Sequence, residues 1–183
     1  MRKLALILGV AATVVISAGL AISVRADRRE VRLRAELRGL NEVPPTSSRA
    51  TGTLRATLDQ DAQTITFTLD FKDMSGPPSM SHIHFGPPRV NGGVMVFFCG
   101  GGGKPSCPNA TSGTVTGTIA VGDVVGPAAQ GITAGDFADV VRAIATGNGY
   151  ANIHSALFPA GEARGRVEST GFDRDDRDHD HDD

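Results

Sequence analysis

Apolar and polar residues alternate with a period of two over much of this chain, the spacing at which side chains of an extended strand share a face. Val31, Leu33, Ala35 and Leu37 alternate with Arg32, Arg34, Glu36 and Arg38, which predicts a strand with one buried face. Leu54, Ala56 and Leu58 lead through the polar stretch 59–63 to Ile65, Phe67, Leu69 and Phe71, which predicts a β-hairpin. Further strands are predicted around 81–86, 94–98, 114–119, 150–155 and 162–168. Val94 to Phe98 is apolar throughout and reads as buried on both faces, whereas the last strand should turn Ala163, Gly165 and Val167 inward and Glu162, Arg164, Arg166 and Glu168 outward. Pro44-Pro45, Pro77-Pro78 and Pro87-Pro88 punctuate these segments, because proline cannot donate to a sheet ladder.

The period changes once. Phe137, Val140, Val141 and Ile144 recur at helical spacing and predict a short helix over about 134–146, with Thr133 or Asp136 placed to cap it and Gly147 to end it. Many short strands, frequent turns and one helix predict an all-β fold, an antiparallel Greek-key-like β-sandwich or barrel.

The two ends read differently. Arg2 and Lys3 precede an apolar run of 19 residues, Leu4 to Ile22, and Val24-Arg25-Ala26 supplies small residues where a signal peptidase cuts. Residues 1–26 are therefore expected to be a signal peptide. The alternative is an uncleaved anchor, since about 20 apolar residues span a bilayer. Residues 27–168 form the expected domain, and 169–183 an acidic tail that lacks any apolar pattern and should be disordered. Nothing after the leader is long and apolar enough to cross a membrane.

Without the leader's three positive charges, 15 Lys and Arg stand against 20 Asp and Glu, a net charge of −5. Asp173 to Asp183 alone carries seven Asp and two Arg, also −5. The domain is thus close to neutral, which gives no electrostatic basis for binding nucleic acid or an anionic membrane. Secretion or periplasmic export follows from the leader, and with it an extracellular or periplasmic partner of unknown identity. In that compartment Cys99 and Cys107, flanking four successive glycines, are expected to form a disulfide. A loop this short contributes only about 2–3 kcal/mol by the chain-entropy estimate.

The candidate chemistry lies in the histidines. His82 and His84 share one face of their predicted strand, and Asn152 and His154 share one face of theirs. If the two strands are neighbours, the three imidazoles converge as a copper or zinc site, with Glu162 as a fourth ligand or as a partner holding a ring. Imidazoles with the ordinary pKa near 6.5 must lose their protons to coordinate, so binding should weaken below about pH 6. The alternative is a polar cluster hydrogen-bonded to Asn152, Glu162 or Arg164. His179 and His181 sit among aspartates and read as part of a solvated tail. No Gly-x-Ser-x-Gly elbow, phosphate loop or dinucleotide fingerprint occurs, so no complete catalytic set is assigned.

Three stretches carry a resemblance. Leu40-Asn41-Glu42-Val43-Pro44-Pro45, Ser81-His82-Ile83-His84-Phe85-Gly86, and Asn152-Ile153-His154-Ser155 with Phe158 to Gly165 resemble the CHRD domain in order and spacing, from Val31 to about Glu168. The family is named for chordin, an animal extracellular antagonist of growth factors, and includes exported microbial proteins. The resemblance implies an extracytoplasmic β-sandwich acting as a binding or structural module rather than an enzyme. Ala163, where a larger aliphatic residue is common, and the cysteine loop depart from the usual pattern. The order His82, His84, Gly86, His154 is also faintly similar to the copper-binding strands of copper/zinc superoxide dismutase. That similarity implies, as the alternative function, a copper redox protein, although the bridging and zinc ligands have no counterpart here.

Overall fold

The computed structural model describes residues 30–170. The expected leader over 1–26 and the tail from 171 onward lie outside the described residues. Among the described residues are one α-helix and nine strands, the first eight of them where the pattern predicts strands: β1 (Glu30–Arg38), β2 (Thr51–Asp59), β3 (Thr64–Lys72), β4 (Pro78–Phe85), β5 (Gly93–Cys99), β6 (Gly113–Ala120), α1 (Phe137–Ala145), β7 (Gly149–Ser155), β8 (Ala163–Arg166) and β9 (Glu168–Thr170). They form one antiparallel sheet in the order β5-β4-β7-β8-β1-β2-β3-β6, with β9 paired to β1. Its two end strands, β5 and β6, come against each other, so the sheet nearly closes into a barrel. Strands distant in sequence sit side by side at β4–β7, β8–β1 and β3–β6, which is the Greek-key-like character expected.

Period-two alternation builds the interior. Val31, Leu33, Ala35 and Leu37 of β1, Leu54 and Leu58 of β2, and Ile65, Phe67, Leu69 and Phe71 of β3 are all buried in one cluster. The Phe67 and Phe98 rings meet at 4.6 Å between centroids and carry this cluster over to β5. Burying one such side chain stabilises the fold by about 1.5–3 kcal/mol, so the alternating face alone explains why these segments pair as they do. Helix α1 covers part of the barrel with Phe137, Val140, Ala143 and Ile144.

The helix is shorter than the predicted 134–146. Gly135 adopts a left-handed conformation at φ 84°, which a continuing helix does not permit, and Asp136 then caps the first turn by accepting from the Asp139 N–H at 3.1 Å. At the other end Gly147, at φ 75°, ends it where expected. Val141 is only half-buried, and Ala143 takes its place in the core stripe.

Three further expectations change. Phe97 and Val94 are half-buried, so β5 is not enclosed on both faces. Glu162 and Arg164 are buried polar residues rather than outward-facing ones, 0% and 5% exposed. Ser169 and Thr170 continue the fold as part of β9, paired with Leu33 and Arg32, so the ordered domain runs past residue 168.

The alternation makes a contrast of two substitutions informative. Leu54→Ala, at a fully buried position, should lower the unfolding free energy by about 2–5 kcal/mol in a denaturant titration. Thr116→Ala, on the exposed face of β6, should change it by no more than about 0.5 kcal/mol.

Candidate metal centre

The antiparallel pairing of β4 with β7 sets the site. Its register places His84 opposite Tyr150, His82 opposite Asn152 and Met80 opposite His154. His154 is therefore the diagonal neighbour of His82, within reach across the strand pair. Ile83, Ala151 and Ile153 go into the barrel core, and the imidazoles occupy the outer face of the same two strands. β4 is irregular against β5, with register shifts between Ser81 and His82 and between Ile83 and His84, so each histidine follows a local distortion of the ladder.

An outer face is normally solvated, yet His82 is 2% exposed, His154 6%, and His84 half-buried. Neighbouring loops cover them. The ring of Phe97 stands edge-on to His82 at 5.1 Å, and Gly101 and Gly102 of the cysteine loop lie against Phe97 so closely that a Cβ at either would fall within 2.6 Å of its ring. The Cys99–Cys107 disulfide closes that loop, as expected.

The three side chains converge. One ring nitrogen from each of His82, His84 and His154 can be chosen so that all lie within 4.8 Å of one another. Ring centroids are separated by 4.4 Å for His82–His84, 4.6 Å for His82–His154 and 6.3 Å for His84–His154. His84 Nδ1 donates to the Gly92 carbonyl at 2.8 Å, and His154 Nδ1 donates to the Pro159 carbonyl at 3.0 Å. A carbonyl only accepts, so both rings carry their proton on Nδ1 and present Nε2 as a free lone pair when neutral. His154 Nε2 and His82 Nδ1 are buried with no hydrogen-bond partner among the described residues.

The fold shifts all three rings towards the neutral form. Burial, reinforced by His84 and His154, pushes His82 down to about 2. Burial also lowers His84 to about 4, although its bond to Gly92 opposes the shift, and burial lowers His154 against its bond to Pro159. Each shift moves the loss of coordination to a lower pH than the value of about 6 expected of ordinary imidazoles.

Glu162 is placed elsewhere. It sits at a bend just before β8, where its Oε1 accepts from Ser48 Oγ and from the Ser75 N–H, both at 2.7 Å. Burial alone would raise its pKa, but hydrogen bonds from Ser155, Ser48 and Ser75 outweigh it and keep the carboxyl below its usual range. It is absent from the converging group, and it does not pair with Arg164. Arg164 Nε instead donates to Glu42 Oε2 at 2.7 Å, its Nη2 donates to Asn91 Oδ1 at 2.7 Å, and its guanidinium lies 4.5 Å from the centre of the Tyr150 ring. Burial pushes the Glu42 carboxyl up, with Arg164 pulling the other way. Tyr150 stacks on His84 at 4.7 Å and 13°. Glu42, Tyr150, Gly92 and Pro159 were not among the residues read as the site. Glu42 and Pro159 lie within the stretches that resemble the CHRD domain, but the roles of Gly92 and Pro159 are played by backbone carbonyls and leave no trace in residue type.

The donor set fits a borderline metal ion. Zinc or copper with bonds of about 2 Å holds its ligand nitrogens up to roughly 4 Å apart, so a closure on the order of 1 Å brings these three into range. The Nδ1–H bonds to backbone carbonyls are the outer support that metal-bound histidines commonly have. Three ligands leave a further coordination position open.

Neutral burial has a consequence for stability without metal. The unfolded chain takes up protons on these histidines near pH 6.5, while His84 in the fold does so only near 4 and His82 near 2. The unfolded state binds more protons between those values, so stability falls as pH drops from 6.5 towards 4. Each buried ring contributes a slope on the order of 1 kcal/mol per pH unit. Denaturant titrations in EDTA should show this decline, and a shallower one for His82→Asn; equal slopes would mean that His82 is not held neutral.

The sequence model of the CHRD domain matches residues 33–167, well over half of the chain. No curated protein and no solved structure shows significant similarity to it, so the likeness to superoxide dismutase rests on the order of the histidines alone. Among the described residues no helix is long and apolar enough to cross a membrane. With the matched region running from within β1 to the residue before β9, this chain belongs to the CHRD domain family.

Proposed function

We propose that this CHRD domain is an extracytoplasmic binding module that holds one copper or zinc ion between His82, His84 and His154. One observation carries the reading: three imidazoles bring nitrogens within 4.8 Å of one another, and none of the residues a purely structural cluster would use bonds any of them. Asn152 and Arg164 bond Glu42, and Glu162 bonds Ser48 and Ser75, so none of them satisfies an imidazole. A buried polar atom without a partner costs about 1–3 kcal/mol, and a bound cation supplies a partner to several such nitrogens at once. The disulfide and the leader-like sequence over 1–26 support a site of action outside the cytoplasm.

The second reading, a copper redox protein, is favoured by one feature. His84 is only half-buried, which leaves a solvent-side approach to the open coordination position. The protein side of that chemistry is to hold the three rings rigidly through Gly92 and Pro159 and to exclude bulk water on the Phe97 side.

A variant with His179→Ala and His181→Ala, which removes the tail histidines, should still take up one equivalent of Cu(II) or Zn(II) by calorimetric titration. Its melting temperature should rise with metal, because the ion binds only the folded state. His82→Ala and His154→Ala should each abolish the uptake, Glu162→Gln should leave it intact, and binding should weaken at a lower pH than coordination by free imidazoles does. A structural cluster gives the opposite pattern, with no stoichiometric uptake and only the stability loss of about 1–3 kcal/mol per histidine removed. Reversible reduction of a bound Cu(II) signal in electron paramagnetic resonance would select the redox reading, and a silent, non-reducible site the binding one.

A further inference from the structure

Beside the histidines, on the other side of Tyr150, the outer face holds a cavity of about 620 Å³. That volume lies within the range of small-molecule sites, roughly 300–1,000 Å³. The cavity opens between the segment after β1, which supplies Glu42, Val43 and Pro45, and the segment after β4, which supplies Pro87, Pro88 and Arg89. Its floor is Tyr150 and Arg164, and Arg166 stands at its edge. None of the three histidines lines it.

The charge balance of this cavity is one-sided. Glu42 is the only carboxylate in the lining, and it is already engaged by Arg164 at 2.7 Å, so the floor pair is neutral. Arg89 and Arg166 are exposed and make no hydrogen bond or ion pair among the described residues. Arg89 and Arg166 thus add two positive charges that no carboxylate of the lining offsets, the Arg166 guanidinium resting against Gly147, and the apolar part of the wall is leucine, valine and proline. Guanidinium groups match the planar, two-oxygen geometry of a carboxylate. The apolar walls give the rest of a ligand somewhere to bury.

We infer that this cavity binds a small organic anion, a carboxylate carried on an apolar body. Arg89 and Arg166 receive the carboxylate, and the proline and valine walls take the body. The inference stands independently of the metal reading, since it uses none of the three histidines.

The test uses 3-phenylpropionate and its uncharged amide as probes, in EDTA, with binding followed by the NMR shifts of the Gly149 and Gly165 amides, both of which line the cavity. The acid should bind saturably, and the amide roughly tenfold more weakly, as expected for the loss of two exposed ion pairs. Arg89→Gln with Arg166→Gln should bring the acid down to the affinity of the amide while leaving the amide unchanged. Both positions are exposed, so the melting temperature should not move. His82→Ala should leave acid binding as it is, which separates this site from the metal centre. No saturable shift up to about 10 mM, equal affinity for acid and amide, or full binding by the double variant would each overturn the inference.

Discussion

The antiparallel register between β4 and β7 is the constraint on which the rest depends. Side chains alternate along a strand, so a slip of one residue would send the histidines of the slipped strand into the core and bring its aliphatic residues out, Ile83 on β4 or Ala151 and Ile153 on β7. Their burial makes that exchange prohibitive, because it would expose fully buried aliphatic side chains and place imidazoles among them. The apolar face thus fixes the position of the polar one. The histidines converge because the isoleucines opposite them leave the strands no other pairing.

Covering an outer face with loops creates a second problem, since loops bring backbone groups that need partners. Here they find them in the site itself. Gly92 and Pro159 accept from imidazoles, Gly92 N–H donates to the Tyr150 hydroxyl, and Glu162 gathers Ser48 and the Ser75 N–H. Such close approach requires glycine at particular points. A Cβ at Gly161 would stand 2.8 Å from both oxygens of Glu42, and Gly161 also adopts φ 131°. The Glu42–Arg164 pair is part of this cover. A buried ion pair adds little net stability against an apolar substitute, but removing one partner strands the other at about 3–5 kcal/mol. It therefore fixes where the segment after β1 lies on β8 more than it strengthens the fold.

The strands, the core and the disulfide were legible because each depends on a local pattern: period two in β1 to β3, and a short glycine-rich loop between Cys99 and Cys107. The helix stripe was legible for the same reason, and its start was misread because Gly135 acts through backbone conformation. The three histidines could be named from strand periodicity, but their convergence depends on β4 lying beside β7, some seventy residues away, and no local pattern encodes that pairing. Glu162 was misplaced because a bend just before β8 breaks the alternation that put it on the histidine face. The partner of Arg164 was not legible because Glu42 is 122 residues distant.

The same network joins the cavity to the histidines mechanically. In strand order Tyr150 of β7 lies between His84 of β4 and Arg164 of β8, stacked on the first and beneath the guanidinium of the second. Its hydroxyl holds the N–H of Gly92, whose carbonyl in turn holds His84 Nδ1. Only glycine fits at position 92, because a Cβ there would run into the Phe85 carbonyl oxygen. Tyr150 is thus tied to the His84 ring twice, by stacking and through the Gly92 peptide.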